Sequence, residues 1–309
     1  MRISEYNMGC HVPQESIGPE LGSCPMCGGV YSLEIFSIQE SPIVKLNKCT
    51  DCKIVYANHH PLHDFLMTYY SYYYKGHNGD GNVTTDSVKR FANHITRLVL
   101  MKYIGDSPKS FKVLDYGGGD GSIGAKVAKI IGKKKSTVTS IDVFENESSI
   151  EGLEKLDGCK YLYDANNLEN DYDLIIASGV LEHVKNPFEV LTLMINHLAP
   201  GGVIYIRTPY VLPVHRLLSF FGFKQDFGYP AHFFDFSPQS WEKILLLIRG
   251  VSQSMQFVYS GASPSEVGIM KRPVLGLITA ILKMPTRLGF KNWPFCGGYE
   301  VLIRKNLEA

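Results

Sequence analysis

The 309-residue chain has little of what marks several large protein classes. No apolar run reaches the roughly 20 residues that a membrane-crossing helix needs, so an integral membrane protein is not expected. No basic leader runs into an apolar stretch and a cleavage site, which argues against secretion and makes a soluble, cytoplasmic protein the expectation. Charge of one sign is lacking too: 31 basic and 30 acidic side chains leave a formal net charge of +1. A protein whose main partner is a nucleic-acid backbone usually carries a basic surplus, so that partner is disfavoured. No internal repeat or low-complexity tract appears. What remains is ample apolar content, 45%, for one large or two modest domains with a real core.

Cysteines are few, seven in all, but four of them are paired by spacing. Cys24 and Cys27 form CPMC, and Cys49 and Cys52 form CTDC. In a cytosolic chain, two such knuckles around a strand-like segment read as a four-thiolate zinc site rather than as disulfides. A metal with four cysteine ligands has no open position, so the expected role of Zn2+ is to fold the segment. Gly28 and Gly29 supply the turn after the first knuckle. Cys10 and His11 read as an untethered tail, and His59, His60 and His63 as surface residues without ligand spacing. The tyrosines from Tyr69 to Tyr74 offer apolar faces with polar tips, which suit a sugar or aromatic substrate, but for most of them packing this module onto a larger domain is the expected job. The module with its connector is expected over residues 1–80 and the larger domain over 81–309.

The stretch around which the larger domain is organised is Phe111 to Gly124, FKVLDYGGGDGSIG. An apolar run ends at Asp115 and passes through Gly117, Gly119 and Gly121 into a helix that starts at Ser122. Such glycine density at a strand-to-helix turn points to a small molecule lying against the main chain. Two cofactor classes fit. Gly119, Gly121 and Gly124 satisfy a dinucleotide fingerprint with Asp142 as the ribose acid. An acid at the strand tip, however, repels a pyrophosphate and suits a cofactor bringing an ammonium and a sulfonium. Read from Asp115, the pattern Asp-x-Gly-x-Gly-x-Gly resembles motif I of the class I S-adenosylmethionine (SAM) methyltransferases.

Around it, strands at 137–143, 160–163, 172–178, 203–208 and 299–304 alternate with helices at 85–104, 122–131, 148–156 and 187–198. This alternation predicts an α/β fold, a doubly wound Rossmann-like sheet whose ligands bind at the carboxyl ends of the strands. Asp115, Asp142 and Asp164 fall at such ends. Asp142 is expected to accept from the ribose hydroxyls, and Asp164 with Ala165 to lie near the adenine. Counting the strand that ends at Asp115 as the first, Ser178 ends the fourth and completes the cofactor set. The segment 173–191, DLIIASGVLEHVKNPFEVL, resembles motif IV of the same methyltransferases, followed by LAPGGVIYIRTP as the fifth strand. Glu182 and His183 come just past the fourth strand. In ubiquinone-pathway O-methyltransferases a related segment carries a further acid three residues earlier and a divalent metal; here that place is Gly179. His183 is either a base or a residue that orients the loop.

The segment YPAHFFDFSPQSW, 229–241, leads into a helix with Ser237 as N-cap and Pro238 in first position. It is similar to the tyrosine-and-histidine motif of bacterial sugar C-methyltransferases, which also open with a paired-cysteine zinc module. The resemblance gives His232 the place of the catalytic histidine and Tyr229 that of a substrate-binding tyrosine. The neighbouring acid of that motif is replaced here by Ala231, and this departure favours methylation of a hydroxyl over carbon. The chain thus resembles a sugar- or polysaccharide-pathway SAM methyltransferase with an amino-terminal zinc ribbon, acting on a small-molecule or glycan-precursor substrate. An RNA base methyltransferase, a sugar C-methyltransferase and a non-catalytic SAM-binding scaffold are the alternatives. A helix over 271–290, interrupted at Pro285, is expected to pack on the domain, with peripheral membrane contact as the lesser reading.

Overall fold

The computed structural model describes residues 11–76, 85–103, 111–119, 121–131, 136–142, 159–162, 165–222, 227–264, 273–290 and 292–307. The amino-terminal part forms β1 (Ile17–Glu20), β2 (Ser32–Glu40), β3 (Ile43–Cys49), β4 (Val55–Ala57) and β5 (His59–Pro61), then α1 (His63–Gly76) and α2 (Thr85–Tyr103). Strands and helices then alternate as β6 (Phe111–Tyr116), α3 (Ser122–Ile131), β7 (Ser136–Ile141), β8 (Cys159–Leu162), β9 (Tyr172–Ser178), α4 (Pro187–Asn196) and β10 (Leu198–Tyr210). The last part holds α5 (Leu212–Phe220), β11 (Phe234–Asp235), α6 (Pro238–Val251), β12 (Met255–Ala262), α7 (Pro273–Arg287) and β13 (Gly297–Lys305). The helix expected at 148–156 lies outside the described residues.

Seven strands form the main sheet in the order β12-β13-β10-β9-β6-β7-β8. The five from β10 to β8 run parallel, and β13 lies antiparallel between β10 and β12. This is the α/β, Rossmann-like sheet that the alternation predicts. Burial on both faces explains the unbroken apolar runs of its central strands, because successive side chains leave a strand on opposite sides. Leu174, Ile176, Val203 and Tyr205 pack with Ile95 and Val99 of α2 and with Val127 of α3. Ile175, Ala177, Ile204 and Ile206 face the other way, onto Leu191 and Ile195 of α4 and onto Trp241 and Ile244 of α6.

That second core continues without a break into the cysteine-bearing module, through Val44, Leu46, Ile54 and Tyr56. The sheet of the module is completed by a strand from far along the chain. Its order is β11-β4-β3-β2, with Phe234 opposite Tyr56 and Asp235 opposite Val55. Ser237 caps α6, its Oγ accepting from the Ser240 amide at 3.0 Å, and Pro238 follows in first position.

Helix α7 departs from expectation. It runs through Pro285 and ends two residues later, because a proline this near the carboxyl end removes only one helical hydrogen bond. Among its described side chains several apolar ones face outward. Leu277, Ile281 and Met284 are exposed, while Lys283 turns inward and donates to the Ser263 carbonyl at 2.6 Å. Among the described residues no helix is long and apolar enough to cross a membrane.

Candidate active site

The glycine turn after β6 is held by two carboxylates. Asp115, buried, accepts from the Gly124 amide at 2.7 Å in the first turn of α3, where the helix dipole favours an anion. Asp142, at the end of β7, accepts from the Gly119 amide at 2.7 Å. Gly117 and Gly118 both donate to the Ile141 carbonyl, so the loop closes onto the neighbouring strand. Gly117 has φ 64°, and a Cβ there would stand 2.6 Å from a Val180 methyl. The main chain at the tip of β6 therefore lies directly against the loop that follows β9. Asp164 lies outside the described residues, and Ala165 opens a short 3-10 turn over Ala165–Asn167. Ser178 is drawn away from the glycine turn: its Oγ accepts from Arg207 Nε at 2.9 Å. The Arg207 guanidinium stacks over Phe91 of α2 at 4.5 Å.

The loop after β9 carries Glu182 and His183, and the segment before β11 brings His232 beside them. One ligand atom from each of the three lies within 4.8 Å of the other two. The imidazole rings meet edge to face, 4.6 Å between centroids. Backbone pairing sets this meeting: Phe233 N–H donates to the Glu182 carbonyl at 2.7 Å, and Ala57 N–H donates to the Phe233 carbonyl at 2.8 Å. Gly228, at φ 90°, lets the turn 228–232 close, and the His232 ring lies over its bare Cα.

His183 Nδ1 lies 3.0 Å from the Ala231 carbonyl and 3.1 Å from the Tyr70 hydroxyl. A carbonyl only accepts, so Nδ1 carries the proton and Nε2 keeps the lone pair. Burial pushes the His183 pKa down to about 4, against a small opposing pull from the Ala231 carbonyl. His232 is pushed well down as well, by burial first and then by His183 and His215. Burial thus favours the neutral form of both rings. Tyr229 is buried, its hydroxyl makes no hydrogen bond among the described residues, and burial raises its pKa.

Two of the histidines set aside in the sequence behave differently from expectation. His60 is a core residue, stacked on Phe233 at 4.4 Å and 22°, and burial pushes its pKa down to about 4, with Lys185 and His59 adding to the shift. It is inward because Phe233 and Phe234, brought in beside β4, close on its ring. His11 is tethered rather than loose, its ring bonded to the Ser41 carbonyl beside a Val12–Gln39 pair at 2.9 Å. Cys10 lies outside the described residues. Tyr70, which sequence reading left among packing tyrosines, is the functional contact most easily missed. Its only signal is that the cluster is too rich for a plain connector.

The four sulfurs of Cys24, Cys27, Cys49 and Cys52 also lie within 4.8 Å of one another. Cys24 and Cys52 are 3.6 Å apart, and Cys27 and Cys49 are 3.5 Å apart. A tetrahedral ion with bonds of about 2.3 Å to sulfur has edges of about 3.8 Å, so the group fits zinc in number, chemistry and spacing. The Asp51 amide donates to Cys49 Sγ at 3.4 Å, the support that a metal-bound thiolate needs. The contact between Cys24 and Cys52 pulls the Cys24 thiol down and pushes the Cys52 thiol up, the mark of sulfurs held close together.

Residues 88–246 match the family model described as a methyltransferase domain, just over half of the chain. The chain belongs to this family. Curated relatives include the ubiquinone biosynthesis O-methyltransferase of Vibrio parahaemolyticus, 30% identical over 31% of this chain and 43% of that protein. Another is the tRNA 5-carboxymethoxyuridine methyltransferase of Escherichia coli, 31% identical over 36% of this chain and 46% of that protein. The chain thus spans less than half the length of each of these two. Among solved structures, magnesium protoporphyrin IX methyltransferase from Synechocystis PCC 6803 with bound SAH aligns with a TM-score of 0.49 and 15% identity, over 78% of this chain and 96% of that one.

Proposed function

We propose that the chain is a SAM-dependent methyltransferase that methylates a hydroxyl of a sugar or nucleotide-sugar precursor in polysaccharide synthesis. The observation that carries this reading is the juxtaposition of two features at one end of the main sheet. The glycine turn packs against Val180, and two and three residues further on stand Glu182 and His183, joined by His232. A methyl donor on the turn and a proton acceptor in the cluster would then face one acceptor oxygen.

In this reading Gly117, Gly119 and Gly121 let the cofactor approach the backbone. Asp115 supplies negative charge near its cationic end, Asp142 takes the ribose hydroxyls with its second oxygen, and Asp164 and Ala165 border the adenine, with Ser178 at the strand tip. Bound SAM supplies a methyl group on a positive sulfur. The chain's part is to hold that group in line with the acceptor oxygen, where alignment gives much of the acceleration. His232 withdraws the hydroxyl proton as the new bond forms, with Tyr229 beside the substrate and His183 fixed by Ala231 and Tyr70. Zinc on the four cysteines keeps the module folded and so keeps β11 and His232 in place.

A cavity of about 610 Å³ along the same carboxyl-terminal segment supports a phosphorylated acceptor. Lys48 and Lys53 of the module and Arg216 of α5 line it, together with Tyr210, Asp235 and Gln239. Cations over an apolar floor suit a nucleoside diphosphate better than a bare sugar. Methyl transfer from labelled SAM to a panel of nucleotide sugars tests the reading. Labelled nucleotide sugar is expected. Label passing only to RNA, or SAM binding with no product at all, would overturn it.

A further inference from the structure

Two helices of the carboxyl-terminal part turn apolar side chains outward. On α7, Leu277, Ile281, Met284 and Leu288 are each more than half exposed. Steps of four, three and four residues keep them in one narrow stripe along a helix. The Leu288 amide donates to the Met284 carbonyl at 3.0 Å, so the last of the four still follows the helical path. Lys283 lies on the opposite face, donating to the Ser263 carbonyl at 2.6 Å, and this inward face packs on β12. At the end of α5, Phe220 and Phe221 are 83% and 65% exposed and meet each other edge to face at 5.4 Å. The two regions are neighbours: Leu217 of α5, itself exposed, lines the same cavity as Asn292, Pro294 and Phe295, which follow α7.

Charge decides what would cover them. Acidic side chains number 30 in 309 residues, roughly one in ten. Yet none falls in residues 190–225, which include α5, or in residues 267–299, which include α7. The second of these stretches carries five basic residues, Lys271, Arg272, Lys283, Arg287 and Lys291, and Arg216 stands exposed on α5. We propose that α5 and α7 dock on an anionic lipid bilayer, with Phe220, Phe221 and the outward stripe of α7 sunk among the headgroups and the upper acyl chains.

A bilayer surface takes an amphipathic helix lying flat, its apolar face buried by about 5–10 Å and basic residues about it. Helix α7, 15 residues long, is too short to cross a membrane but has the form of one that lies on it. A second copy of the chain fits this face less well. A symmetric contact would set basic stretches against each other with no acid between them, and like charges oppose it. Anionic headgroups supply the missing sign. The net charge of +1 is no obstacle, because at physiological salt the attraction acts over only about 8 Å and so depends on the local surface. Docking does not rest on the proposed methyl transfer.

The test is co-flotation of the full-length protein with vesicles, either of phosphatidylcholine alone or of phosphatidylcholine and phosphatidylglycerol in equal parts. Binding to the anionic vesicles is expected, weaker by about tenfold or more on neutral ones and falling as salt is raised. Phe220→Ser with Phe221→Ser, and Ile281→Ser with Leu288→Ser, should each lower the affinity for anionic vesicles by about tenfold or more. All four side chains are exposed in the folded chain, so both variants should keep the wild-type denaturation midpoint, which is measured alongside. No flotation with anionic vesicles overturns the proposal. So does equal binding to both kinds of vesicle at every salt concentration, or binding that both double variants leave intact, since another surface must then be responsible. A wild-type dimer that the same variants make monomeric, with no vesicle binding, would assign the face to a second copy and overturn it as well. Because the readout is flotation, failure to methylate any nucleotide sugar leaves it untouched.

Discussion

The glycine turn and the Glu182, His183 and His232 cluster are built in opposite ways. The turn is local: β6, the glycines, α3 and the tip of β7 all fall between residues 111 and 142, and its hydrogen bonds join Asp115 to Gly124 and Asp142 to Gly119. The cluster is assembled from afar. Ala57, Tyr70, Glu182 and His232 come from four separate parts of the chain, and its backbone link runs through the cysteine-bearing module. A local site depends on its own residues, whereas a remote one depends on everything that brings its parts together. Damage to the module should therefore separate the two.

The largest effect is expected from the cysteines. Structural zinc contributes about 10–16 kcal/mol of folding free energy to small domains, so Cys49→Ser with Cys52→Ser should unfold β2 to β4 and release β11. Methyl transfer should vanish while SAM affinity, read by calorimetry, stays within a few-fold of wild type. Equal loss of both would show that the glycine turn leans on the module as heavily as the histidines do.

Next comes His232→Ala, which should lower turnover by roughly 10²–10⁴-fold with SAM affinity nearly unchanged. An unaltered rate would remove His232 from the chemistry. Gly117→Ala sharpens the other side. A left-handed φ of 64° costs a non-glycine residue about 1–2 kcal/mol, and the new methyl would also press on Val180. SAM affinity should fall by about tenfold or more, and the rate at saturating SAM should change less. If turnover alone fell, the turn would be serving the cluster rather than the cofactor.

This contrast also explains what could be read from the chain. The sheet was legible because strands buried on both faces are continuous apolar runs, as at Tyr172–Ser178, and because Ser237 and Pro238 announce a helix start. The turn was legible because its residues are neighbours. His183 and His232 could each be picked out by resemblance, but nothing in spacing said that they touch. Pairing of β11 with β4 is a long-range event, and no local pattern encodes it. His60 was misplaced for the same reason: its stacking partner, Phe233, arrives from the far end of the domain.

The buried histidines give a pH signature. His60 and His183 have folded pKa values near 4, below the 6.5 of a free imidazole. Between those values the unfolded chain binds protons that the folded one does not, so stability rises with pH across that window and levels off above it. The slope is on the order of 1 kcal/mol per pH unit for each such group. Denaturant midpoints at pH 5 and pH 7 should differ, and His60→Phe should remove its share of the difference. A midpoint with no change between those pH values would mean that both rings are solvated. Turnover should show no inflection near 6.5, since the active rings are already neutral there.

The smallest effect belongs to Tyr70, where the remote site meets the connector helix. Its hydroxyl shares His183 Nδ1 with the Ala231 carbonyl, so Tyr70→Phe removes one of two contacts and leaves the tautomer set by the other. A single neutral hydrogen bond is worth about 0.5–1.5 kcal/mol net, which corresponds to a loss of about 2- to 10-fold in kcat. KM for SAM should not move, because the glycine turn has no part in the contact. A change in that KM, with kcat intact, would place Tyr70 against the cofactor and make the two sites one.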